Sequence, residues 1–412
     1  MPSEEDFRTQ RYLELIIDRG PLSNSGSIRN LFDWSGALDI EVKGDIVAKY
    51  FNRNNIPPYN EEIDLAVPDG EGDERTATAP NEPNIPSIDM EDFEANASNT
   101  WAGPRTAVID EIQLVAGQPR RLILDDNIFI NPPGQWNGQG LRNISRGVWA
   151  EGNWEEIQNA SGDTVTLEDP VDWAVGDRVT VVPRIPSSPA WNSSQRTYSI
   201  TVNCNLSGLS VGEVVRNFRG NWNYEDWAVI VGPPIAPPPS FTPNSTTFTI
   251  QFDSSITSSP NWQTNDLLGV AKRFEGNNNN QGLWYIKGDV LIDSRNSNAR
   301  FKKTSLVAEG DIGIKGSRDL SMDAYVEPSI LRTFPNLASK FGNILSPDSG
   351  KRRFRGLIYT EYGDVLFNDI DGIAIIGNNV TLEGNVELEY DGKYIDPEGF
   401  LGALSAISWR ER

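Results

Sequence analysis

Trp284-Tyr285-Ile286-Lys287-Gly288-Asp289-Val290-Leu291-Ile292 is followed by Leu306-Val307-Ala308-Glu309-Gly310-Asp311-Ile312-Gly313-Ile314, with the two Gly-Asp pairs 22 residues apart. Each run reads as a short apolar strand, a tight Gly-Asp corner and a second short strand. Leu357–Phe367 repeats the design around Gly363-Asp364, Ile373–Leu382 repeats it around Gly377-Asn378, and Gly384-Asn385-Val386-Glu387-Leu388 closes the series. One such unit cannot bury its own apolar face, whereas stacked units bury one another's, which is the logic of a parallel β-solenoid, or β-helix. Gly363 lies 53 residues after Gly310, more than one turn, so an excursion is expected between them. Within it Ile330, Leu331, Phe334, Leu337, Ala338 and Phe341 fall at helical spacing and predict a helical insert near 325–341.

Working outward, Ala37–Ala48 alternates apolar and polar residues around Gly44-Asp45 and repeats the same strand unit. Residues 60–99 then carry 12 acidic side chains against the single Arg75, with Pro68, Pro80, Pro83 and Pro86. Such a stretch buries too little apolar area to offset its ordering entropy, so an extended linker is expected. At the start, Ser3-Glu4-Glu5-Asp6 is a candidate cap, and Phe7, Tyr12, Leu13, Ile16 and Ile17 form an imperfect apolar face. The organisation expected is therefore a short N-terminal helix over 1–22, solenoid strands plus the acidic Pro-rich linker over 23–102, a module over 103–275 and a C-terminal β-solenoid over 276–412.

The inserted module reads as a β-barrel or β-sandwich, and it carries an internal echo. Gly162–Leu167 followed by Asp172–Val181 is answered by Thr247–Phe252 followed by Asn261–Val270, with Trp173 and Trp262 89 residues apart. Each copy leads from a strand through a Trp-containing turn to a polar corner and back, which suggests two related halves. The run from Pro233 to Pro239 reads as a stiff connector between them. Of the 12 tryptophans, Trp136, Trp149, Trp154, Trp173, Trp191, Trp222, Trp227 and Trp262 lie in this module. They suit a β core better than exposed platforms for sugar stacking.

Composition limits the chemistry. With no histidine and one cysteine, Cys204, the chain cannot build Ser-His-Asp or Cys-His catalysis, His-ligated zinc or an internal disulfide framework. Lys+Arg of 36 against Asp+Glu of 58 gives a formal charge of −22, which repels phosphate backbones, so nucleic-acid partners are not expected. No apolar run is long enough to span a bilayer, and no secretory signal pattern opens the sequence. The carboxylates of Asp69–Glu74 and the phrase Asn368-Asp369-Ile370-Asp371-Gly372 suggest calcium, but neither has EF-hand spacing. No cofactor, no metal and no catalytic residue is assigned.

The Gly-Asp-Val/Ile units of 284–388, the Gly44-Asp45 unit, Pro86-Ser87-Ile88-Asp89 and the closing Ile407-Ser408-Trp409-Arg410-Glu411 resemble the β-solenoid ectodomain of bacterial pilus-assembly (PilX-type) accessory proteins. More distantly the coils are similar to bactofilin-like polymer-forming proteins. The resemblance covers roughly 30–50, 85–100 and 280–412. It implies a non-enzymatic building block of an extracellular or cell-surface appendage, pilus or filament, self-associating or joining other subunits. A phage tail-spike or fibre protein on a virion, binding or cleaving glycans, is the alternative.

Two groups of residues are candidates for assembly or turn formation. Asp289, Asp311 and Asp364 would stack on one corner if the coils are in register. As a catalytic set they would suit polysaccharide cleavage, but repeated corner aspartates more commonly brace turns. Lys351, Arg352, Arg353 and Arg355 form a basic cluster on an otherwise acidic chain, and it suits the acidic 60–99 segment of a neighbouring subunit.

Overall fold

The computed structural model describes residues 87–388 apart from 104, 130–135, 147–152, 205, 207–208, 218–225, 233–244, 277–279, 296–297, 330–331 and 373. It also places, by backbone, brief strands at 15–17, 32–33, 37–42, 46–48, 51–52, 64–65, 74–76 and 404–405. β-Branched and aromatic runs bounded by glycine turns make the described chain all-β, in sheets of mixed direction. Among the described residues its only α-helix is α1, Met90–Asn96, capped by Asp89, whose carboxylate accepts the backbone N–H groups of Glu91 and Asp92. The chain divides into two compact units: residues 1–100, 274–286 and 292–412, and residues 101–273 with 287–291.

The second unit opens with β1 (Thr106–Val115), β2 (Gln118–Leu124), β3 (Gly140–Asn143), β4 (Trp154–Ser161), β5 (Thr164–Leu167) and β6 (Arg178–Val182), a closed barrel in the order β1-β2-β5-β4-β3-β6. It continues with β7 (Ala190–Asn192), β8 (Thr197–Val202), β9 (Val214–Asn217), β10 (Trp227–Ile230), β11 (Thr246–Gln251) and β12 (Leu268–Glu275). These pair antiparallel as β7-β8-β11-β10-β9-β12, the same order. Among the described residues β7 does not pair with β12, so this second ring is left open, with an isolated Arg184–Leu267 bridge beside it in which Leu268 N–H donates to Pro183 O and Ile185 N–H to Asp266 O. Pro183 and Pro186 have no N–H to give, which limits that seam to a bridge. The echo read from Trp173 and Trp262 is thus carried by two strand sets of identical order.

Strand alternation sends one face of each ring inward. In β11 Thr246, Phe248 and Ile250 are buried while Thr247 and Thr249 are less so. One apolar cluster runs through both rings, with Leu122, Trp136, Ile157 and Trp173 from the first and Ile200, Phe248, Ile250 and Trp262 from the second. Tryptophan there fills core, and Tyr198, Phe252 and Trp262 meet edge-on or tilted at 5.3–6.2 Å. Cys204 belongs to the same cluster, and burial pushes its thiol up to about 12. Native protein at pH 8 is therefore expected not to react with a thiol-specific disulfide reagent, and to release one equivalent of thiol only after denaturation.

The first unit is built from parallel pairs. Gly282–Lys287, Thr304–Ala308, Leu337–Ser339, Leu357–Thr360 and Ala374–Gly377 pair in succession, placing Tyr285, Val307, Ala338, Tyr359 and Ile376 at one register position. By backbone the ladder continues through Leu15–Ile17, Ile46–Ala48 and Glu74–Thr76. A second parallel series joins Ala299–Phe301, Leu320–Asp323 and Arg352–Arg355, and a third joins Ile312–Lys315, Ile344–Ser346, Asp364–Gly372 and Asn379–Leu388. Thr304–Ala308 and Leu357–Thr360 are buried along their whole length, as parallel strands with both faces covered are.

Residues 325–341 do not form the expected helix. Val326–Glu327 and Arg332–Thr333 make a small antiparallel pair, and Leu337–Ser339 enters the ladder. Pro335 lies in the middle of the expected helix, where its ring and missing N–H break helical bonding. Phe334 instead packs on Tyr325, ring stacked at 6.0 Å, and on Phe93 of α1 at 5.9 Å. Part of the segment expected as linker is α1 itself, held by Asp89 and the buried Phe93. The N-terminal helix expected over 1–22 lies outside the described residues except at Leu15–Ile17, which are strand; the Pro233–Pro239 connector and, of the Asp69–Glu74 carboxylates, residues 69–73 also lie outside them.

Candidate functional site

The ladder of the first unit turns a corner at Gly310-Asp311, Gly342-Asn343 and Gly363-Asp364, and polar groups bind each corner to the next. Asn343 N–H donates to the Asp311 carboxylate at 2.9 Å, and Asp364 N–H donates to Asn343 Oδ1 at 2.8 Å. Asn379 Nδ2 then donates to Asp364 at 2.6 Å. Beside this column runs a second one. Ser339 Oγ donates to Gly310 O and accepts Gly342 N–H, at 3.1 and 2.9 Å. Thr360 Oγ1 repeats this with Gly342 O and Gly363 N–H, at 2.9 and 3.0 Å.

Glycine is required at 342 and 363 for space. A Cβ on Gly342 would sit inside contact distance of Gly310 O, and a Cβ on Gly363 inside contact distance of Gly342 O. Each of these two corners therefore rests directly on the carbonyl of its predecessor. Outside it, the rings of Phe341 and Tyr362 stack at 5.0 Å and 12°, with Tyr362 half exposed.

Of the three corner aspartates read from the sequence, Asp311 and Asp364 join this column and are linked through Asn343. Asp289 lies in the other compact unit, buried, where Arg142 donates to both its oxygens at 2.7 and 3.2 Å. Sequence reasoning passed over Asn343, although Gly342-Asn343 carries the same corner chemistry as Gly-Asp. Among the described residues no group of three or more Cys, Asp or Glu is placed to hold a metal ion. The Asn368–Gly372 phrase has other work: Asp369, at φ +62°, accepts Asn385 N–H at 2.9 Å where the strand bends, and Asp371 is ion-paired.

The basic cluster separates by strand parity. Arg352 and Phe354 face inward and are fully buried, while Lys351, Arg353 and Arg355 face outward. Arg352 donates to Ser346 Oγ at 3.0 Å, to Arg318 O at 2.6 Å and to Gly316 O. Lys351, Arg353 and Arg355 converge on Asp371 at 3.3, 2.8 and 3.1 Å. Burial would raise the Asp371 carboxyl, but the Arg353 hydrogen bond and the Arg355 and Lys351 charges hold it below its ordinary value.

A depressed native carboxyl stabilises the fold above the unfolded-state pKa, and that contribution is lost as pH falls through the native value. Asp371→Asn is expected to lower stability by about 1 kcal/mol at pH 7, since the three cations are partly exposed and screened. The difference from the parent should shrink below about pH 4, as urea unfolding at pH 7 and pH 3 would measure.

Compared with known proteins, the chain matches no family model and no curated protein.

Proposed function

We propose that the first unit is a parallel β-solenoid and that the chain is a non-enzymatic structural subunit of an extracellular or cell-surface appendage, pilus or filament. It assembles with copies of itself or with other appendage subunits through the solenoid's surfaces. The observation that carries the reading is the shared register of Tyr285, Val307, Ala338, Tyr359 and Ile376 in successive parallel strands. Such stacking makes each unit depend on its neighbours and extends in one dimension, as a building block requires. The resemblance of the Gly-Asp units to pilus accessory ectodomains points the same way. The outward Lys351, Arg353 and Arg355 on a chain of net charge −22 supply a contact for an acidic partner surface.

Electron microscopy and sedimentation of the purified chain test this reading, with filaments or defined oligomers expected and Arg353→Glu/Arg355→Glu reducing them. A chain that stays monomeric at every concentration and salt counts against it. A second reading, a tail-fibre-type protein that binds surface glycans, draws on the half-exposed Tyr362 ring stacked on Phe341. Specific binding on a glycan array together with release of reducing sugar would displace the structural reading.

A further inference from the structure

The two rings of the second unit match in side-chain chemistry as well as strand order. In β3, Asn143 Nδ2 donates to the Asp177 carboxylate at 2.6 Å, and the same Asp177 oxygen accepts Ala174 N–H at 2.9 Å. In β9, Asn217 Nδ2 donates to Asp266 at 2.6 Å, and the same Asp266 oxygen accepts Gln263 N–H at 2.8 Å. Asp177 and Asp266 each close the Trp-containing turn of their own ring. The residue before each asparagine is an arginine, Arg142 in β3 and Arg216 in β9, so these two arginines are structural equivalents.

Both arginines turn to one carboxylate. Asp289 Oδ2 lies 2.7 Å from Arg142 Nη1 and 3.8 Å from Arg216 Nη1, with side-chain exposures of 2, 3 and 5%. Two guanidinium groups in one buried region repel, and a carboxylate between them turns that repulsion into attraction on both sides. Neither ring supplies it. Asp289 comes from residues 287–291, a stretch that belongs to this unit but follows both rings in sequence. Gly288 precedes it at φ +155°, where a Cβ would press on the Trp101 ring at 3.1 Å, and Gly103 N–H meets Lys287 O at 3.5 Å.

We infer that Asp289 is a clasp: by binding equivalent arginines of two strand sets of matching order, it makes β3 and β9 open together. The inference concerns the second unit alone and is independent of any role in assembly. Hydrogen–deuterium exchange of the full chain, read by mass spectrometry, tests it. With Asp289→Asn, peptides covering β3 and β9 are expected to exchange about ten-fold faster, and to do so in parallel. Arg142→Met should also speed exchange in β9, and Arg216→Met should speed it in β3. Faster exchange confined to the ring that carries the substitution overturns the clasp, as does an Asp289→Asn protein that exchanges like the parent. Should Asp289→Asn fail to fold, the two arginine variants decide alone: acceleration in the opposite ring upholds the clasp and confinement refutes it.

Discussion

Replacing Gly363 by alanine is expected to remove about 3 kcal/mol of stability, or more where the corner cannot shift. The added methyl meets Gly342 O, and the carbonyl cannot retreat because Thr360 Oγ1 donates to it. Gly342→Ala should cost a similar amount, since its methyl meets Gly310 O, which Ser339 Oγ holds. Urea unfolding followed by circular dichroism measures both. Gly117→Ala is the comparison: that turn has nothing near the added atom and carries only the strain of φ +80°. A loss at Gly342 and Gly363 no larger than at Gly117 would contradict the stacking described for the corners.

The second large effect is expected at Arg352. Its guanidinium is fully buried and donates to Gly316 O, Arg318 O and Ser346 Oγ. Arg352→Met keeps most of the volume but leaves buried acceptors without this donor, at an expected loss of about 4 kcal/mol. Lysine should recover little, because one ammonium cannot reproduce a planar fork that reaches three acceptors. Thermal melts of the parent, Arg352→Met, Arg352→Lys and the outward-facing Arg353→Met separate the cases. Arg353→Met should fall within about 1 kcal/mol of the parent, as screened surface pairs do.

These two sites also mark how far sequence reading reaches. The corners at Gly310 and Gly363 were legible because glycine followed by aspartate is distinctive between apolar strands. The corner at Gly342-Asn343 was hidden by apolar residues at helical spacing from Ile330 to Phe341, although Pro335 argued against a helix. Arg352 was grouped with its charged neighbours, yet in a strand it shares parity with Phe354, and that alternation is the signal that it faces inward. Asp289 was legible as a corner residue but its pairing was not, because its partner Arg142 lies 147 residues away in sequence. Local pattern reports which residues sit at a corner, whereas only the tertiary pairing decides which of them bear on one another.

The corner columns fix the spacing of successive strands but leave the length of chain between them open. From Tyr285 to Val307 the chain takes 22 residues, from Val307 to Ala338 31, from Ala338 to Tyr359 21 and from Tyr359 to Ile376 17. Every one of those steps advances the sheet by the same inter-strand spacing of about 4.8 Å. Insertions between successive strands are therefore neutral to the width of this sheet, and only gain or loss of a whole strand alters it. The connections can thus vary freely in length while the sheet widens or narrows in discrete increments.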